Sequence, residues 1–218
     1  LALLIILIVK RENTMTGKNH PLSDPLRLLG AAVAGLALLS GARRLLQEFQ
    51  RSPLPSLPGS ENLPRGQGTA LITGASSGFG AEFARQLAHR GYNLVLVARR
   101  QERLEFLAGE LASQSAIQVE VLPADLSTPE GIEKVASRLA EIPDLTLLVN
   151  NAGFGTVGRF HKVNPQSQAD MLSVHTTATL RLCQAALPGM VARGGGAVIN
   201  MASVAAFLPR LGNATYGP

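Results

Sequence analysis

Thr73-Gly74-Ala75-Ser76-Ser77-Gly78-Phe79-Gly80 constrains this chain more than any other stretch. The apolar run Thr69–Thr73 leads into it. Phe79–Arg90 leads out, with Phe83 and Leu87 on one helical face. A strand that turns this sharply into a helix brings backbone N–H groups and the positive end of the helix dipole to one point. Such a point binds an anion, a pyrophosphate for example. Glycine is needed because a Cβ would block either the turn or the close approach of the ligand. The spacing is G-x-x-x-G-x-G, not the commoner G-x-G-x-x-G fingerprint. A plain strand–helix turn explains one glycine and leaves two without a reason.

Downstream the chain keeps alternating. Asn93–Ala98 reads as a strand, then Leu104, Leu107 and Leu111 mark a helical stripe at spacings of three and four. Ile117–Leu122 is the next strand. Ser127-Thr128-Pro129-Glu130 then forms a capping box for a helix that buries Ile132, Val135 and Leu139. Leu145–Asn150 and Ala197–Asn200 are the fourth and fifth strands, with a long helix around Gln166–Ala192 between them. Strands separated by helices form right-handed βαβ units and a parallel sheet covered on both faces. The fold expected is a doubly wound, Rossmann-like α/β/α sandwich over residues 67–218. At 46% hydrophobic and 16% charged residues, the chain has enough apolar material for that core and is no disordered solvating chain.

Further motifs follow in order: Asp125 and Leu126 after the third strand, Asn150-Asn151-Ala152-Gly153 after the fourth, Ser203 after the fifth, and Tyr216 thirteen residues beyond Ser203. Together with the glycine turn they resemble the short-chain dehydrogenase/reductase family over about residues 67–218. The resemblance implies an enzyme that interconverts a carbonyl and an alcohol with a nicotinamide cofactor. It implies that Gly74, Ser76, Ser77, Gly78, Phe79 and Gly80 hold the cofactor. Asp125 and Leu126 would lie beside its adenine, and Asn151, Ala152 and Gly153 along the strand that carries it. Ser203 would hold the substrate oxygen and Tyr216 would transfer its proton. The family's usual asparagine in the long helix aligns with His175, which either relays protons or fills the space. Dinucleotide folds usually place an acid after the second strand to hold the ribose 2′-hydroxyl. Here Ala98 is followed by Arg99 and Arg100, which pair with a 2′-phosphate where an acid would repel it, so NADP is expected over NAD.

The family's lysine lies four residues after the tyrosine, beyond Pro218, and the chain reads as a fragment. On that reading it lacks the ammonium that favours the phenolate, its fifth strand has no sixth to pair with, and it is inactive as written. The resemblance also implies a homo-oligomer for the complete protein. A rival reading keeps the fold as a noncatalytic nucleotide sensor or scaffold, which Ser203 and Tyr216 oppose.

Before residue 67 the composition changes. Residues 1–68 carry eight Lys and Arg against four Asp and Glu, whereas residues 69–218 carry twelve against eleven. The basic excess therefore belongs to an extension, which argues against nucleic-acid binding by the domain. Residues 1–50 read as an apolar and basic, helical extension, and 51–66 as a Pro-rich linker. Leu1–Val9 is too short to span a bilayer. It is either an artefact ahead of a true start at Met15 or the remnant of a longer hydrophobic segment. Residues 28–46 are a membrane-association candidate, with a leader packed on the domain as the alternative, and a cytoplasmic location is expected. Cys183 is the single cysteine and reads as a core residue. His20, His89 and His161 lack metal-ligand spacing.

Overall fold

The computed structural model describes residues 2–10, 68–207 and 216; the linker 51–66 and the membrane candidate 28–46 lie outside the described residues. The first strand is β1 (Ala2–Lys10). Then come β2 (Thr69–Thr73), α1 (Gly78–His89), β3 (Asn93–Ala98) and α2 (Gln101–Gln114). The chain continues through β4 (Val119–Pro123), α3 (Pro129–Glu141) and β5 (Leu145–Asn150). Helix α4 (Pro165–Leu172) passes through a π-helical turn at Ser173–Ala178 into α5 (Thr179–Ala192), and β6 (Gly195–Ser203) follows.

The sheet runs β1-β6-β5-β2-β3-β4. Strands β2 to β6 are parallel and β1 is antiparallel to β6. The chain moves outward from β2 to β3 and β4, then crosses back to β5 and β6 on the other side. Strand order therefore reverses between β2 and β5, and a doubly wound sheet opens its ligand crevice at that point, beyond the strands' carboxyl ends.

Two apolar layers sandwich the parallel strands. Leu71, Val95 and Leu148 pack with Val135 and Leu139 of α3 and Leu182 and Ala186 of α5. Ala70, Ile72, Leu94 and Leu96 face the other way, onto Ala84 and Leu87 of α1 and Leu104, Leu107 and Leu111 of α2. Neighbouring residues point to opposite faces, and both faces are covered, so these strands are apolar throughout rather than alternating. Each fully buried Leu or Ile contributes roughly 1.5–3 kcal/mol, which makes the central strands the rigid base of the crevice.

Three expectations are corrected. Helix α3 is capped by Thr128, whose hydroxyl accepts from the Gly131 N–H at 3.1 Å, and not by Ser127, which bonds Asp125 instead. The last parallel strand is not left unpaired: β1 lies along it in continuous register from Ala2 opposite Ser203 to Lys10 opposite Gly195. Residues 2–10 are accordingly a strand of this sheet and not part of a helical extension. The run Ala2–Val9 is unbroken by Gly or Pro and rich in Ile and Leu, so it pairs readily with an open sheet edge.

Candidate functional site

A cavity of about 450 Å³ opens at the switch point. Gly74, Ser76, Ser77 and Phe79 line it from the glycine turn, Arg99 and Arg100 from the end of β3, Asp125 and Leu126 from the end of β4, and Asn151, Ala152 and Gly153 from the end of β5. Ala98, Ala124, Phe154 and Val174 complete the lining. Four separate strand ends thus converge on one crevice. The sequence motifs had marked the same segments.

The glycine turn shapes the crevice floor. Gly74 has φ +68°, and a Cβ there would stand 2.8 Å from the Ala152 Cα, so neither backbone conformation nor space admits a side chain. Gly80 packs against the Gly74 carbonyl, closer than any Cβ allows. Gly78 and Gly80 do not line the cavity: they set the turn and the start of α1. Ser77 is the N-cap residue of α1, yet its side chain caps nothing, and the first helical turn carries no acid. The opening N–H groups of α1 are therefore left without a side-chain acceptor, beside a cavity lined by Ser76, Ser77 and Phe79. This is the arrangement that receives a phosphate.

From the end of β3 the Arg100 guanidinium reaches the same turn, donating to Ser76 Oγ at 2.9 Å and to Ser77 Oγ at 2.8 Å. Arg99 stands 3.9 Å from the Asp125 carboxylate, with Arg99 largely in solvent and Asp125 half-buried. Burial pushes the Asp125 pKa up, but the Ser127 N–H and O–H and the nearby Arg99 overcome it, leaving the group below its ordinary value. No acid occupies the end of β3, where Ala98 stands. A cradle of small residues, free N–H groups and two guanidinium groups fits a phosphorylated dinucleotide.

Thr73 ties the strand ends together, which sequence reading had missed. Its hydroxyl donates to Val149 O at 3.3 Å and accepts from the N–H groups of Asn151 at 2.9 Å and Ala152 at 3.0 Å. The Asn151 amide answers by donating to Thr73 O at 2.9 Å. Asn150, one residue earlier, donates to Asn200 Oδ1 at 2.8 Å, linking β5 to β6.

His175 sits in the π turn, half-buried. Its Nε2 accepts from the Phe154 N–H at 3.1 Å, and its ring meets that of Phe154 at 6.4 Å and that of Tyr216 at 5.5 Å, both edge-on. Burial lowers its pKa below the ordinary histidine value, against a weaker opposing effect of the Phe154 main chain. The structure therefore brings His175 and Tyr216 together. Ser203 comes from another element, the end of β6, where its Oγ accepts from the Ala205 N–H at 3.2 Å. Cys183 is half-buried under the sheet, with its thiol pKa raised by burial. Among the described residues no cluster of three or more His, Cys, Asp or Glu could hold a metal ion, and no helix is long and apolar enough to cross a membrane.

Fold and cavity together define a doubly wound α/β protein with a cavity at its topological switch point, where such folds bind ligands. The chain belongs to the short-chain dehydrogenase family, whose family model, described as short chain dehydrogenase, matches residues 68–218. It is 38% identical over 194 residues to the very-long-chain 3-oxoacyl-CoA reductase of Pyrenophora tritici-repentis, an alignment covering 87% of this chain and 56% of that one. Among solved structures it resembles the bulky-bulky ketone specific alcohol dehydrogenase of Comamonas testosteroni, at TM-score 0.68 and 41% identity, over 70% of this chain and 61% of that one. It also resembles a short-chain dehydrogenase of Sphingobium yanoikuyae in complex with NADPH, at TM-score 0.67 and 43% identity, over 69% of this chain and 59% of that one. The chain thus spans somewhat more than half the length of the relatives it matches.

Proposed function

We propose that the chain binds NADP(H) and belongs to an oxidoreductase that interconverts a carbonyl and an alcohol. The observation that carries this reading is the pair Arg99 and Arg100 on the cavity wall, with Ala98 where an acid would select the unphosphorylated ribose. The open N–H groups of α1 hold the pyrophosphate, and Arg99 and Arg100 hold the 2′-phosphate. Gly74 and Gly153 let the cofactor lie close against β2 and β5. When bound, the nicotinamide supplies or accepts the hydride. Ser203 donates its hydroxyl to the substrate oxygen, and Tyr216 gives or takes the proton on that oxygen. The NADPH complex of the Sphingobium relative supports the cofactor. The names of the Pyrenophora and Comamonas relatives support a large carbonyl substrate, a 3-oxoacyl thioester or a bulky ketone.

Fluorescence titration of the chain with NADPH and NADH tests the cofactor reading without requiring turnover. NADPH should bind about 10- to 100-fold more tightly, the worth of one or two charge-assisted hydrogen bonds. Arg99→Ala together with Arg100→Ala should bring the two affinities together. Equal affinities in the unmodified chain would overturn the assignment to NADP.

A further inference from the structure

His175 faces the loop that leaves β5. The backbone of Gly153, the backbone and ring of Phe154, and the ring of Tyr216 surround its imidazole. A neutral imidazole has one N–H and one lone pair. The Phe154 N–H points at Nε2, so the lone pair must be on Nε2 and the proton on Nδ1. Neither nitrogen can be exchanged without losing that bond. Gly153 is matched to this contact, because a Cβ there would stand 2.8 Å from Nε2 and push the ring away. Two residues along, Gly155 lies against the Tyr216 ring, with its Cβ position 3.8 Å from Cδ2. The bond at Phe154 thus fixes the stretch of loop that runs from the cofactor crevice to Tyr216.

We propose that His175 is a positioning residue, a latch whose Nε2 lone pair holds the Phe154 N–H and so seats the 153–155 loop between the cavity and Tyr216, and that a proton on Nε2 opens it. This rests on the reading of Tyr216 as the proton-transfer group. It excludes a relay through Nε2, which the loop already occupies. A protonated ring presents an N–H to an N–H, and the bond is lost. Among the described residues facing the ring, Gly153, Phe154 and Tyr216 supply no carboxylate that would hold an imidazolium in place, and burial outweighs the favour that the Phe154 main chain gives the charged ring. An amide at this position keeps an acceptor and cannot be opened by acid. The π turn supports the assignment: inserting one residue into a helix is a common way of aiming a side chain at a functional site.

Two measurements on the 218-residue chain test the latch, and neither needs cofactor or turnover, so failure here is distinct from failure of the reductase reading. The first is the ring-nitrogen NMR signature of His175 in the unmodified chain at neutral pH, where the proton should be on Nδ1. A proton on Nε2 would overturn the proposal outright. The second is amide hydrogen exchange at Phe154, with the amides of β2 and β5 as internal controls. His175→Phe should lower protection at Phe154 by about tenfold, the worth of one hydrogen bond, and leave the control amides unchanged. His175→Gln, with an acceptor at similar reach, should restore protection and hold it at acidic pH, where the unmodified chain loses it. Unchanged Phe154 protection in His175→Phe would overturn the proposal. So would acid loss in His175→Gln equal to that of the unmodified chain.

Discussion

At the scale of single residues, one hydroxyl holds two strand ends. Thr73 is 1% exposed, and its Oγ is the acceptor for two N–H groups at the point where the chain leaves β5 to line the cavity. Thr73→Val keeps the shape and removes the acceptor. Each N–H left without a partner costs roughly 1–3 kcal/mol. The variant should therefore unfold at lower denaturant, and it should bind NADPH more weakly because Asn151 to Gly153 lose their anchor. Thr73→Ser should restore most of both. An unchanged unfolding midpoint in the valine variant would show that water or backbone movement satisfies those groups. Sequence reading placed Thr73 at the mouth of the glycine turn but could not give it this role, because its partners lie 76 to 79 residues away. Arg99, Arg100 and Asp125 were legible because their chemistry is local to a strand end. Phe154 was not: its part in the site is played by a backbone N–H, which any residue type supplies.

At the scale of elements, periodicity showed where helices and strands lie and missed how one of them turns. Residues 166–192 read as a single helix because an apolar stripe survives one inserted residue. The π turn at Ser173–Ala178 falls on Val174, Thr176 and Thr177, all β-branched and all weak in a regular helix. The cap of α3 moved from Ser127 to Thr128 for a similar reason, since either residue satisfies the pattern. What decided it was Asp125, whose carboxylate takes both the N–H and the O–H of Ser127. The π turn also carries a pH dependence. His175 has a folded pKa below that of an unfolded histidine, about 6.5, so the unfolded chain takes up a proton first as pH falls. The stability it contributes is complete above about pH 6.5 and is lost as pH falls from there toward the folded value. Thermal unfolding from pH 8 to 5 should show that decline in the unmodified chain and a shallower one in His175→Gln. Parallel profiles would mean that other groups govern the acid limb.

At the scale of the whole molecule, the balance of strands and helices was readable from residue 69 onward, because each parallel strand is a short apolar run and each helix shows its stripe. The first strand was not readable. Leu1–Val9 has no alternation and no turn signal after it, so the sequence alone offers a membrane remnant or an artefact as readily as a strand. Its role follows from β6. That strand pairs with β5 on one side and with β1 on the other, and a strand edge without a partner exposes a row of N–H and C=O groups. Nine residues of antiparallel register, Ala2 to Lys10, cover that edge up to Ser203 itself. Replacing both Ile5 and Ile6 with proline should break the pairing, because successive strand residues direct their N–H groups to opposite sides and one of the two must face β6. The loss of a ladder bond and the disturbance around it cost roughly 1–3 kcal/mol. The double variant should unfold earlier and scatter more light at equal concentration, as an uncovered edge finds other chains. Amide exchange should rise along β6 and stay unchanged along β3 and β4, at the far side of the sheet. If β6 kept its protection and light scattering stayed unchanged, β1 would not be what covers that edge.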